Sequence, residues 1–365
     1  MKHSSIAKLP EFGQSPWYDN LTRAYATGGL KLLMERDGIR GVTSNPTIYE
    51  KALAAGDDYD AQLAKLAKSG TEAKDSYWEL VTTDIRDAAD LLRPVYDAND
   101  GADGFVSVEV DPDYAHNAKD TVTQAAELFS RVDRPNVMIK IPGTRECLPG
   151  ITETIAAGIN VNVTLIFALK RHGEVIEAYL AGLEQLAAKG GDLSKVNSVA
   201  SFFVSRVDTE TDRRLPEGHE LRGKAAVANA KLAYRLFEQT FSGKRWDALA
   251  AKGARVQRPL WASTSTKNPA YSPTLYVDEL IGPHTVNTLA QASIDALQDH
   301  EGLRAGTVTE GVDDAQATID ALASAGVDFD DVTDTLEREG VASFSASFHD
   351  ALDTLTKKAR ELAQS

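Results

Sequence analysis

The stretch VMIKIPGT, residues 137–144, sets one lysine inside an apolar run with the length and β-branched content of a buried strand. An ammonium group taken out of water is costly unless it is paired or loses its proton. Successive residues of a strand point to opposite faces, so Val137, Ile139 and Ile141 share one side while Met138, Lys140 and Pro142 share the other. The run is apolar for one side only, and Lys140 belongs to the other.

The same division recurs. In FVSVEV, Val106, Val108 and Val110 oppose Phe105, Ser107 and Glu109; in VNVTL, Val161, Val163 and Leu165 oppose Asn162 and Thr164; in GVTSN, Thr43 and Asn45 share a side. An open sheet covered by helices on both faces would press these polar groups against apolar helices, whereas inside a closed barrel they meet one another. Eight β-rich runs are countable: WYDNL from residue 17, GVTSN from 41, FVSVEV from 105, VMIKIP from 137, VNVTLIF from 161, SVASFFV from 198, PLWAST from 259 and HTVNTL from 284. Amphipathic segments lie between them. In one, Trp78, Val81, Ile85, Ala88, Leu92 and Val95 recur every three or four residues, as a helix covering a sheet requires. The expectation is an α/β protein: a single (β/α)8 TIM-barrel domain over residues 1–365, with strands within about 15–290. Helical insertions fall near 50–75 and 205–257, and a helical C-terminal part covers about 300–365, either capping one mouth or serving an interface. An open doubly wound sheet is the alternative.

Composition narrows the function. With 42% hydrophobic and 25% charged residues the chain is of ordinary globular type, and a formal charge of −15 argues against nucleic acid or an anionic membrane surface as partner. The N-terminal MKHSSIAKLPEF lacks the apolar core of a signal peptide and no run approaches the ~18 apolar residues of a membrane span, so a cytoplasmic location is expected. Cys147 is the only cysteine, which excludes an intrachain disulfide and a site of several thiolates. The histidines at 3, 116, 172, 219, 284, 300 and 349 show no ligand spacing, so no metal is expected, and no GxGxxG or P-loop pattern is present.

If the inner faces converge, Lys140 shares the barrel centre with Glu109, Thr164, Asn162 and Asn45. Near pH 7.4 only about one part in a thousand of an ordinary lysine amine is neutral, and burial favours that form. A neutral amine among hydroxyls and amides suits Schiff-base formation with a ketone, Glu109 and Thr164 moving the proton through a water, and Asn45 and Asn162 holding sugar hydroxyls. A buried Lys140–Glu109 ion pair explains the pattern equally well. Asp19, at the end of the first strand, stands where a barrel places a general base, although Asp-Asn before a helix is also an ordinary N-cap. Arg206 and Lys267 follow the sixth and seventh strands, where barrels often bind phosphate.

The motifs GVTSNPTIYEKA, VSVEVDPDYAHN, NVMIKIPGT, GINVNVTLIF, ASFFVSRVD and LWASTSTKNPAY, followed by PHTVNTL, keep one order from about residue 15 to 300. Together they resemble the transaldolases, especially the longer actinobacterial type. The resemblance implies a class I aldolase-like barrel of the non-oxidative pentose phosphate pathway, without cofactor or metal, that moves a dihydroxyacetone unit between sugar phosphates. It implies Lys140 as the Schiff-base lysine, Asp19 as the base and acid for the C4 hydroxyl, and Glu109 and Thr164 as holders of the catalytic water. Asn45, Asn162 and Ser201 would contact the dihydroxyacetone part, Phe203 would line the substrate site, and Arg206 with Lys267 or a neighbour would bind phosphate. A monomer or homodimer is expected. Two rivals remain: a fructose-6-phosphate aldolase-like lyase, whose members carry Gln and Tyr where the match gives Glu109 and Phe203, and a non-catalytic sugar-phosphate-binding barrel.

Overall fold

A computed structural model describes residues 4–364. Its strands are β1 (Gln14–Tyr18), β2 (Gly41–Val42), β3 (Val106–Glu109), β4 (Val137–Pro142), β5 (Val161–Ile166), β6 (Ser198–Phe203), β7 (Arg258–Ala262) and β8 (Thr285–Leu289). Each pairs in parallel with the next, and β1 pairs with β8 from Gln14↔Thr285 to Tyr18↔Leu289, which closes the barrel. Both edges of β1 are therefore used, and the open-sheet alternative falls.

The helices are α1 (Leu30–Asp37), α2 (Pro46–Ala55), α3 (Asp60–Lys68), α4 (Ala73–Ala98), α5 (Ala118–Val132), α6 (Leu148–Ala156), α7 (Leu169–Ala188), α8 (Ser205–Arg214), α9 (Ala225–Thr240), α10 (Gly243–Ala250), α11 (Leu275–Glu279), α12 (Gln291–Leu297), α13 (Val312–Ser324) and α14 (Phe329–Gln364). The stretch near 50–75 supplies α2, α3 and the start of α4; that near 205–257 supplies α8 to α10. Along α4, Trp78, Val81, Ile85, Ala88 and Leu92 are buried, as their spacing requires.

Local chemistry sets the elements that reach the mouth. Asn45 caps α2: its Oδ1 accepts from Ile48 N–H at 3.1 Å, and Pro46 takes the first helical position, where its missing N–H costs nothing. On β5 the register shifts between Val163 and Ile166, and Leu165 sits in the left-handed region at φ +59°. This bulge turns Leu165 toward α14, where a Cβ on Gly340 would stand 2.9 Å from Leu165 Cδ2. Glycine lets the helix run that close.

The C-terminal region caps the mouth. Along α14, Phe344, Phe348, Ala351 and Leu355 are buried at the spacing of one helix face. Phe348 meets Tyr77 edge-on at 5.0 Å between ring centres, Thr47 and Ser347 share a 2.8 Å hydrogen bond, and Lys358 pairs with Asp60 at 3.0 Å. Burying one such phenylalanine contributes roughly 1.5–3 kcal/mol, so α14 is held by its apolar face and only trimmed by the polar contacts.

Candidate active site

Lys140 reaches the barrel centre because β4 is paired on both sides. Glu109↔Lys140 is a register pair with β3, and Lys140↔Asn162 one with β5. The amine is 5% exposed as a residue; its Nζ lies 3.2 Å from Glu109 Oε2, donates to Ser44 O at 3.1 Å, and stands 5.8 Å from the centre of the Phe344 ring. The Glu109 contact is an ion pair off hydrogen-bond geometry, so both carboxyl oxygens lack a hydrogen-bond donor among the described residues. Burial pushes the Glu109 carboxyl above the usual range, Lys140 pulls it back, and Asp19 adds a smaller upward push.

The other expected side chains gather around this pair. Asp19 follows β1, its N–H donating to Leu289 O at 3.0 Å, and its Oδ1 accepts from Thr43 Oγ1 at 2.7 Å. Thr164 is buried with no partner for Oγ1 among the described residues, although it lines the cavity. Asn162 lies beneath: Nδ2 donates to Ser107 Oγ at 3.0 Å while Ser201 Oγ donates to Asn162 Oδ1 at 2.7 Å. The capping bond fixes which end of the Asn45 amide is oxygen. Phe203 stands 5.0 Å from Phe167, ring to ring, and the Arg206 guanidinium lies 5.4 Å from the Phe203 ring. Burial lowers the Arg206 pKa, against the pull of Asp19 and Glu339. A cavity of about 270 Å³ opens onto Lys140, Asp19, Asn45, Thr164, Ser201, Phe203 and Arg206.

The structure does not bring Lys267 to this cavity. The β7 loop is held by Tyr271 Oη donating to Asp212 at 2.6 Å, and it carries an exposed Lys267 into a neighbouring depression with Asp208, Asp212 and Arg222. Sequence reasoning passed over other lining groups. Ser263, at φ +57°, faces the cavity from the end of β7, and Lys51 from α2. Ser343 and Phe344 arrive from α14, some two hundred residues from Lys140, with no local signal to announce them. Among the described residues no cluster of three or more His, Cys, Asp and Glu could hold a metal ion, and no helix is long and apolar enough to cross a membrane; His3 lies outside the described residues.

The arrangement matches known proteins along nearly its whole length: a family model described as Transaldolase/Fructose-6-phosphate aldolase covers residues 16–355. The chain belongs to the transaldolase family. It is 50% identical to a transaldolase of Saccharopolyspora erythraea over 98% of each chain. It is 51% identical to a transaldolase of Thermobifida fusca, covering 97% of this chain and 98% of the relative, and 49% identical to transaldolase 2 of Streptomyces avermitilis over 99% of both. As a transaldolase-family enzyme, the chain has in Lys140 a buried amine that opens on a substrate-sized cavity, with the Glu109 carboxyl beside it and Asp19 on the same cavity wall.

Proposed function

We propose that this transaldolase-family enzyme transfers a dihydroxyacetone unit from sedoheptulose 7-phosphate to glyceraldehyde 3-phosphate through a Schiff base on Lys140, in the non-oxidative pentose phosphate pathway. The observation that carries the reading is Lys140 itself: a buried amine on the cavity wall, beside the Glu109 and Thr164 oxygens, which are buried and without a hydrogen-bond partner among the described residues.

The Lys140 amine adds to the C2 ketone, and the carbinolamine loses water. Glu109, drawn upward by burial and downward by Lys140, suits passing that proton on and taking it back, through a water held with Thr164 Oγ1. Asp19 removes the C4 hydroxyl proton, the C3–C4 bond breaks, and its electron pair remains as the enamine on Lys140. Erythrose 4-phosphate leaves. The enamine C3 then attacks the carbonyl carbon of glyceraldehyde 3-phosphate, Asp19 returns its proton to the new alkoxide, and water hydrolyses the Schiff base to fructose 6-phosphate and free Lys140. Asn45, Asn162 and Ser201 hold the dihydroxyacetone hydroxyls, Phe203 packs beside them, and Arg206 takes the phosphate, remote from the reacting bond. Such charged substrates do not cross a bilayer unaided, which supports a cytoplasmic location.

Phe344 over Lys140 favours transfer above release of dihydroxyacetone to water, since the retained enamine is covered. Borohydride reduction with fructose 6-phosphate tests the reading. The expected result is a dihydroxyacetone-derived mass on the peptide that contains Lys140; that peptide unmodified under turnover conditions overturns it. Free dihydroxyacetone formed as fast as transfer product would assign the lyase reaction instead.

A further inference from the structure

Two cations on the cavity wall have no carboxylate within ion-pair distance among the described residues: Arg206 and Lys51. Lys140 is the third cation on that wall and is already paired with Glu109. The isolation of Lys51 is written into its helix. The residues one turn away on α2 are Thr47 and Ile48 on one side and Ala54 and Ala55 on the other, so no helical ion pair can form. Most of the chain's lysines are likewise without an ion pair among the described residues; what distinguishes Lys51 is that it lines the same cavity as Lys140 and Arg206.

The Lys51 side chain is exposed, on a helix that is held in place. Its helix is capped by Asn45 at the cavity and tied to α14 through Thr47 and Ser347. In the ring of eight strands, α2 follows β2 and α8 follows β6, four strands apart, so Lys51 and Arg206 approach the cavity from opposite sides of the mouth. Between them lie mainly neutral hydroxyls, amides and apolar groups, with Asp19 as the one carboxylate on the wall among the described residues. Positive charge on two opposite sides of the mouth offers an anion a local site on a protein whose formal charge is −15.

We propose that Lys51 is a specificity-determining residue for phosphorylated substrates, drawing the phosphomonoester dianion into the cavity from the side opposite Arg206. The inference rests on the transaldolase reading for its substrate class. A solvated lysine without this role would leave discrimination between phosphorylated and neutral aldehydes unchanged.

The test is Lys51→Met, which keeps the apolar stem and removes the charge, with Lys51→Arg beside it. Transfer is measured at saturating fructose 6-phosphate donor, with either erythrose 4-phosphate or unphosphorylated glyceraldehyde as acceptor. The expected outcome is a KM for erythrose 4-phosphate raised about ten-fold at low salt, kcat within about two-fold, KM for glyceraldehyde unchanged, and recovery in Lys51→Arg. Added salt should shrink the difference. Equal losses on both acceptors, or none on either, overturn the proposal. Calorimetric titration with inorganic phosphate gives a second readout that needs no turnover: Lys51→Met should weaken binding, and unchanged binding counts against Lys51 whatever the trapping experiment shows. Failed trapping at Lys140 with weakened phosphate binding in Lys51→Met would overturn the catalytic reading alone.

Discussion

Lys140 and Glu109 face each other across the β3–β4 pair and meet at 3.2 Å, Nζ to Oε2, yet neither Glu109 oxygen receives a hydrogen bond from any described residue. The pair is too buried to be an ordinary surface contact and too incompletely satisfied to be explained by stability. Removing the cation alone should therefore cost more than removing both charges. In urea unfolding at neutral pH, Lys140→Met is expected to lose about 3 kcal/mol, much of it regained in Lys140→Met/Glu109→Gln. A double variant no more stable than the single one would show that the pair carries no such coupling.

Asp19 is placed by β1 and oriented by Thr43. Asp19→Asn keeps an acceptor for the Thr43 hydroxyl while losing the base. Turnover should fall by about 10²–10⁴, and borohydride trapping of the ketose on Lys140 should change far less. Parallel loss of both would place Asp19 in binding or folding instead.

Phe344 covers Lys140 from a helix that the barrel itself does not supply. In Phe344→Ala, water gains access to the retained enamine. The fraction of fructose 6-phosphate ending as free dihydroxyacetone, read with a coupled reductase, should rise relative to transfer product. An unchanged ratio together with unchanged transfer would deny α14 a part in excluding water.

His172 is fully buried against Phe202, with neither ring nitrogen hydrogen-bonded among the described residues. Burial pushes its pKa down from 6.5 to about 4. A folded-state value below the unfolded one means that stability is fully present above pH 6.5 and drains away as pH falls toward 4, because only the unfolded chain takes up the proton. The loss across that window is about 3 kcal/mol. His172→Leu should remove this part of the acid sensitivity, so urea midpoints at pH 7 and 4.5 should differ less in the variant than in the native protein; an equal drop would refute the assignment.

The barrel was legible because strand parity is local. Val137, Ile139 and Ile141 against Lys140, or Val161 and Val163 against Asn162 and Thr164, state in the sequence that these strands have one apolar and one polar face, and closure gives those polar faces a common interior. Lys140, Glu109, Thr164 and Asp19 followed from that geometry and from ordered motifs, and the structure brings all four to one place. The phosphate end was harder to read. Residues 263–268 leave β7 through a left-handed Ser263, and the loop that follows is pinned by Tyr271 to Asp212, a contact between residues fifty-nine positions apart. No periodicity tells where such a loop sends Lys267.

By itself the sequence determined the alternation of strands and helices, the polar side of each strand, and so the residues able to meet at the barrel centre. The tertiary structure decided how that centre is closed. The mouth is completed by α14, whose Ser343 and Phe344 come from beyond the last strand, and by a passage between Gly340 and Leu165 that depends on a bulge in β5. The physical reason is separation in sequence: a side chain's face is set by its neighbours two to four residues away, whereas what covers it is set by packing between elements hundreds of residues apart.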